Sequence, residues 1–375
     1  MENKEQINKM YEKIAEELNI SESVYEKANN SYISLEKYLQ SELKDYDVNI
    51  FPQGSMNLGT IIKPVVEEDD YDLDAVCKIY GTFNDASTLK KLVGEALKNN
   101  KMYSKMLQPE GKRCWTLKYS DDSHFHMDIL PSCPSDRKDK SIKITHKENG
   151  NYKFMISNPE EYAEWFNKLQ ESERRRIYFT RNINFSSKIE DLRRNNIRTT
   201  LQKTIQILKR HRDIKYMNAS DIERENKPIS IIITTIVGKM YTGSEDIYDL
   251  ILKFTTDYMK YIEIDSHDNY IIKSPVDDKE NFADKWNIYP ERSKAFFAWI
   301  SDLKKDLITN NFTLKEGLIE KSDYLKGIFG ERTISNVFEK IDGASSKSYI
   351  NHDNIATITS TKTDIEIKEH TFFGK

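Results

Sequence analysis

Apolar positions near the start of the chain recur at helical spacing: Ile7, Met10, Tyr11, Ile14, Ala15 and Leu18 share one face, with charged residues around the rest. Ser23 with Glu26 forms a capping-box pattern ahead of Ala28, Tyr32, Leu35, Leu39 and Leu43, so a short helix is expected to lead into a long one. After Asp45 the pattern changes. Val48 and Ile50 run into Pro52-Gln53-Gly54-Ser55, which reads as a strand ending in a tight turn. Residues 71–77 alternate apolar and carboxylate side chains at period two, a strand with Asp72 and Asp74 on one face. Residues 114–119 and 124–130 read as the arms of an antiparallel hairpin around 120–123, with Asp128 on the second arm. A second hairpin is expected over 142–146 and 152–156 around Asn149-Gly150, and Asn158-Pro159 opens a helix containing Trp165 and Phe166. Beyond about residue 190 the periods are helical: Ile197, Leu201, Ile205 and Leu208 mark one helix, 228–241 a buried one, and 244–261 and 292–307 two more. The division that follows is a mixed α and β part, 1–195, a helical part, 196–343, and a polar, irregular tail, 344–375.

Length agrees with that division, since 375 residues exceed one domain at roughly 150 residues each. Hydrophobic residues at 38% and aromatics at 11% supply large apolar surface and exclude a mainly disordered chain. Gly and Pro, at 13 and 9, are too sparse for a turn-rich all-β sandwich. The charged start carries no signal-peptide core, and the longest apolar stretch, 229–241, is shorter than the roughly 20 residues of a membrane span. Cys77, Cys114 and Cys133 are odd in number and form no CxxC pair, which disfavours a disulfide framework or zinc ribbon and fits a cytoplasmic protein.

The net charge of −4 hides an uneven distribution. Six of the eight positions from Glu67 to Asp74 are carboxylates, whereas from Lys168 to Lys215 fourteen Lys and Arg stand against five Asp and Glu. An acidic knot and a basic belt in one chain suggest a metal site facing a phosphate-bearing ligand. Gly54-Ser55 in a turn lets backbone N–H groups and a hydroxyl approach phosphate oxygens. Asp72 and Asp74, two apart on a strand, project the same way and can share hard divalent cations, with Asp128 on a neighbouring strand completing the set. Residues 67–70 alone read as a solvated edge. Asp72 and Asp74 are different, because like charges on a half-buried strand destabilise it unless a cation offsets them.

These residues resemble the bacterial cGAS/DncV-like nucleotidyltransferases, the second-messenger synthases of CBASS antiphage defence. The resemblance rests on Pro52-Gln53-Gly54-Ser55, Tyr71-Asp72-Leu73-Asp74 and Phe125-His126-Met127-Asp128-Ile129-Leu130-Pro131. It extends through 158–166, Leu208-Lys209-Arg210-His211-Arg212-Asp213, Lys227-Pro228-Ile229-Ser230 and 280–286, about residues 45 to 300 in all. It implies an α+β fold: a polymerase-β-like nucleotidyltransferase domain, a mixed sheet with flanking helices, beside an α-helical C-terminal domain, with the active site in the cleft and a long N-terminal helix spanning both lobes.

Carried over by position, the resemblance implies that Asp72 and Asp74 bind two Mg²⁺ ions, with Mn²⁺ as a substitute, and that Asp128 binds the one that activates the attacking ribose hydroxyl. Gln53, Gly54 and Ser55 would hold the terminal phosphates, with Lys209 and Ser230 reaching them from the helical side. Asp70 is the alternative first carboxylate, but Asp69 precedes it where the pattern wants an apolar residue. The implied product is a cyclic di- or trinucleotide made from nucleoside triphosphates and read by a downstream effector. The implied partners are CBASS ancillary proteins, including a conjugating enzyme that takes the C-terminal tail, where Phe372-Phe373-Gly374 is followed by Lys375. His124 and His126 read as site-lining residues rather than zinc ligands, and Arg174 to Arg176, Arg193, Arg194 and Arg198 as a solvated face rather than a nucleic-acid sensor.

Overall fold

The computed structural model describes residues 2–66, 69–119, 124–136, 140–180, 197–310 and 318–347. The tail from 348 on, the hairpin tip 120–123, and Arg193 and Arg194 therefore lie outside the described residues.

Period-two alternation decides which side chains meet in the sheet. Strands β1 (Asp47–Gln53), β2 (Tyr71–Tyr80), β3 (Trp115–Lys118), β4 (Phe125–Pro134), β5 (Ile142–Glu148) and β6 (Asn151–Ser157) form one mixed sheet. Its order is β1-β2-β4-β5-β6, and β3 also pairs β4. β2 and β4 run parallel and the other pairs antiparallel. β4 is shared along one edge, its first half with β3 and its end with β5. Leu73, Ala75, Cys77 and Ile79 of β2, Trp115 and Leu117 of β3, and Phe125, Met127 and Ile129 of β4 enter one buried core. Alternate residues must therefore emerge on the opposite face, and these include Asp72, Asp74, Thr116, His126 and Asp128.

Two amphipathic helices cover the apolar face: α2 (Glu22–Glu42), through Tyr25, Ala28, Tyr32, Leu35 and Leu39, and α4 (Ala86–Asn99), through Leu89, Val93, Ala96 and Leu97. Each such large apolar side chain stabilises the fold by about 1.5–3 kcal/mol when fully buried. Helix α1 (Glu2–Leu18) precedes α2, α3 (Gly54–Leu58) follows β1, and α5 (Tyr103–Met106) follows α4. The hairpin of β5 and β6 turns at Asn149 and Gly150, both at positive φ, as the Asn-Gly pair predicts.

The remainder is helical: α6 (Pro159–Leu169), α7 (Glu171–Thr180), α8 (Thr200–Met217), α9 (Asp221–Glu225), α10 (Ser230–Met240), α11 (Ile247–Asp257), α12 (Asp284–Ile288), α13 (Pro290–Lys304), α14 (Leu318–Phe329) and α15 (Glu331–Lys347), with a small ribbon of β7 (Glu263–Ile264) and β8 (Tyr270–Ile271). Their core gathers around α8 and α10, through Leu201, Ile205, Leu208, Ile232, Ile236 and Val237, against Phe254, Phe296 and Trp299.

Three sequence expectations shift. The N-terminal segment is two helices, as the periodicity predicts, but the longer one does not span both lobes. α1 buries Tyr11, Ile14 and Leu18 in the helical core, α2 serves the sheet, and an extended Ser21 caps α2 by accepting from Val24 N, so Ser21 rather than Ser23 starts it. α6 also joins the helical core, through Tyr162, Ala163 and Phe166. At the other end, α15 continues to Lys347, past the point where helical periodicity fades in the sequence. Among the described residues no helix is long and apolar enough to cross a membrane.

Candidate active site

The carboxylates converge because of strand register. In the parallel β2/β4 pair Asp72 lies opposite His126 and Asp74 opposite Asp128, and antiparallel β1 places Gln53 opposite Asp74. Ligand oxygens of Asp72, Asp74 and Asp128 all fall within 4.8 Å of one another. Each occupies a different electrostatic setting. Asp72 is 69% exposed, more than the half-buried strand suggested, and His126 Nε2 lies 3.2 Å from its Oδ1. The hydrogen bond from His126 holds the Asp72 carboxyl below its ordinary range and draws the imidazole above its own. Asp74 is half-buried, and burial, then the charges of Asp72 and Asp128, push its carboxyl up to about 7. Asp128 accepts a hydrogen bond from the Thr116 hydroxyl, directly across the β3/β4 pair. Asp70, the alternative, stands 3.5 Å from Lys118 and outside this cluster.

Gly54 closes against the triad. Its φ is +59°, and a Cβ there would lie 3.1 Å from Asp74 Cγ and overlap the carboxylate oxygen beyond it. Only glycine permits both the left-handed backbone and this approach. Ser55 follows in the first turn of α3, and both residues line a cleft of about 750 Å³ shared with Asp72 and Asp74. The far wall carries Lys209, Arg212, Lys227 and Ser230. Of the residues given catalytic, metal or nucleotide-binding roles from sequence, all but Gln53 and Asp128 thus border one cavity; Asp128 reaches it through its carboxylate neighbours and Gln53 immediately precedes Gly54. Of the two histidines read as site-lining, neither borders the cavity, and His126 reaches Asp72.

The two walls are tied by a ladder of buried donors on α8. Gln202 Nε2 donates to Leu58 O at 2.8 Å, Gln206 Nε2 to Ile61 O at 2.9 Å, Lys209 Nζ to Thr60 O at 3.0 Å and Arg210 to Lys63 O at 2.6 Å. Thus α8 satisfies the carbonyls of the connection from α3 toward β2 and holds that connection as cleft lining. Burial, with Arg212 adding to it, draws the Lys209 ammonium down to about 8, against the opposing pull of Asp213, Asp72 and Asp74. Arg212 donates to Pro228 O at 3.0 Å and to Ser230 Oγ at 2.9 Å, and its other edge meets Asp213. With its oxygen accepting from Arg212, the Ser230 hydroxyl keeps its own proton to donate.

Thr116, Arg212 and Lys227 are the site residues to which reading the sequence gave no role, Lys227 standing inside the quoted Lys227–Ser230 motif. Arg212 stands inside the quoted Leu208–Asp213 motif. Thr116 carries no motif, and only the alternation of 115–118 hints at its face. Among the described residues of the basic belt, Arg174 donates to Asn167 Oδ1 at 3.1 Å, Arg176 to Gly243 O at 2.8 Å and the buried Arg198 to Ile197 O at 3.3 Å, while Arg175 pairs with Glu171. Tyr178 is buried against Ile197.

The donor set fits a hard divalent cation. It is all oxygen, and it brings three carboxylates within 4.8 Å of one another, an arrangement of like charges that a shared cation offsets.

Residues 6–169 match the family model described as the Second Messenger Oligonucleotide or Dinucleotide Synthetase domain. A c-di-GMP synthase of Roseivirga ehrenbergii is 28% identical over 335 residues, which cover 87% of this chain and 85% of that protein. Among solved structures, the Bradyrhizobium diazoefficiens CD-NTase CdnG in complex with GTP matches with a TM-score of 0.69 at 20% identity, over 90% of this chain and 99% of that one. Vibrio cholerae DncV, a cyclic AMP-GMP synthase and prokaryotic cGAS homolog, matches with a TM-score of 0.52 at 14% identity, over 88% and 89%. The structural likeness shows a common fold, a mixed sheet with flanking helices and a helical C-terminal part. Family match, relative and fold agree with the carboxylate triad: residues 6–169 match the second-messenger synthetase domain, and the chain is similar in sequence to a c-di-GMP synthase and in fold to CD-NTases.

Proposed function

We propose that this enzyme joins two molecules of GTP into a cyclic dinucleotide. The observation that carries the reading is the meeting of three carboxylates within 4.8 Å at a cleft whose other wall presents Lys209, Arg212 and Lys227. The guanine preference rests on the similarity to a c-di-GMP synthase across most of the chain.

Asp72, Asp74 and Asp128 would hold Mg²⁺, two ions in this reading, or Mn²⁺ in its place, which would neutralise phosphate charge and make the ribose hydroxyl a better nucleophile. Gln53, Gly54 and Ser55 receive the terminal phosphates on the sheet side. Lys209 gives a point charge and Ser230 a hydroxyl donor from the helical side. A ribose hydroxyl oxygen of one nucleotide then bonds to the α-phosphorus of the other, the bond from that phosphorus to the bridging oxygen breaks, and pyrophosphate leaves. A second such transfer closes the ring. The setting in antiphage defence, with ancillary proteins that act on the tail, belongs to the same reading; it is supported by the family and by the fold shared with E. coli CdnC, solved as a CdnC:HORMA complex. Pyrophosphate release from each nucleoside triphosphate with Mg²⁺ tests it: release is expected with GTP alone, and absence of release with GTP, singly or mixed with other nucleotides, refutes it.

A further inference from the structure

Each carboxylate of the triad is held by a different neighbour. His126 stands against Asp72, Gly54 gives Asp74 its place, and Thr116 donates its hydroxyl proton to Asp128 Oδ1. We propose that Thr116 is a positioning residue, which fixes the rotation of the Asp128 carboxylate so that it faces Asp72 and Asp74. The proposal rests on the reading of Asp128 as a metal ligand.

The terminal torsion of an aspartate is broad and nearly two-fold, so a carboxylate on a strand turns freely unless something holds one of its oxygens. Here the other two carboxylates also repel it, and an unrestrained Asp128 would swing away from them. Thr116 opposes that swing from a fixed place. Trp115 and Leu117 anchor β3 in the core on either side of it, and the strand register sets Thr116 directly across from Asp128. Its hydroxyl binds Oδ1 while the same carboxylate offers an oxygen within 4.8 Å of ligand oxygens of Asp72 and Asp74. A hydroxyl that orients a ligand in this way is expected to matter to the site without touching substrate.

Three variants test the proposal: Thr116→Val, which keeps the branched shape and removes the donor; Thr116→Ser, which keeps the donor; and Asp128→Asn. Mn²⁺ affinity is read by electron paramagnetic resonance on enzyme carrying an α,β-methylene GTP analogue, which does not turn over, and steady-state kinetics are measured separately with GTP. Thr116→Val is expected to lose about tenfold or more in Mn²⁺ affinity and in kcat, with KM for GTP changed less, and Thr116→Ser to recover most of both. If Thr116→Val matches the wild type while Asp128→Asn loses both, the positioning role is wrong and the ligand role of Asp128 stands. If Asp128→Asn also matches the wild type, the reading beneath the proposal fails with it. Should Thr116→Val not fold, Thr116→Ala is judged by the same outcomes.

Discussion

Gly54 and Asp74 occupy space that only a glycine allows: a Cβ at residue 54 would overlap the Asp74 carboxylate, on a backbone already at φ +59°. The turn after β1 and the first residues of β2 therefore form one fitted unit. Gly54→Ala is expected to displace Asp74 and lower kcat by about a hundredfold or more, as misplacement by about 1 Å does in a pre-organised site. A Thr60→Ala control bears on the cleft wall without this overlap and should retain most activity, since Lys209 bonds the Thr60 carbonyl and not its side chain.

Replacing both Asp72 and Asp74 by Asn is expected to abolish product while leaving the fold intact. Burial and two neighbouring charges push the Asp74 carboxyl up to about 7, so its ionised form is disfavoured in the metal-free protein. The double variant should melt at the same temperature as the wild type in chelator, or higher. Circular dichroism melts check this, and a large drop would mean that the carboxylates hold the strand together.

Lys209→Ala should raise KM for GTP more than it lowers kcat, because an ammonium on the terminal phosphates supplies binding charge. The structure adds a second consequence: losing Nζ frees the Thr60 carbonyl, one of four carbonyls that α8 satisfies between residues 58 and 63. Lys209→Met keeps most of the stem and separates lost packing from lost charge. If neither variant changes KM, Lys209 serves the wall and not the nucleotide.

How much of this was legible beforehand depends on the range of each interaction. Alternation at 71–77 and 125–131 is local, and it put Asp72, Asp74 and Asp128 on the functional face. The Asn-Gly turn and the buried helix around residues 230–240 were equally local. The Thr116 to Asp128 bond depends on pairing register between strands, and the carbonyl ladder joins residues about 145 positions apart. No pattern within either segment announces such pairings. The two N-terminal helices were legible from their own periodicity, but the core each one serves was not, because α1 and α2 are both amphipathic and only their packing separates them.

Glu17 links α1 to α15 and to the cleft wall. Lys340, Asn336 and Lys63 all donate to it, and although burial alone would raise its carboxyl, these bonds hold it down at about 2. Its folded pKa lies below the unfolded value, so the stabilisation is full above about pH 4.5 and disappears as pH falls through about 2. Glu17→Gln should destabilise the protein by about 1–3 kcal/mol at neutral pH. The difference in melting temperature from wild type should narrow as pH is lowered from about 5 to about 3. A difference that stays constant over that range would exclude ionised Glu17 as the source.

The central claim is that the triad and its basic opposite wall make a cyclic dinucleotide, and the product itself tests it most directly. The enzyme is incubated with labelled GTP and Mg²⁺, the mixture is treated with phosphatase, and what remains is identified by mass spectrometry. The account predicts a phosphatase-resistant species with the mass of two GMP units joined with loss of two waters, made by the wild type and absent with Asp74→Asn. A label found only on protein or RNA, or a product that Asp74→Asn makes equally well, would contradict it.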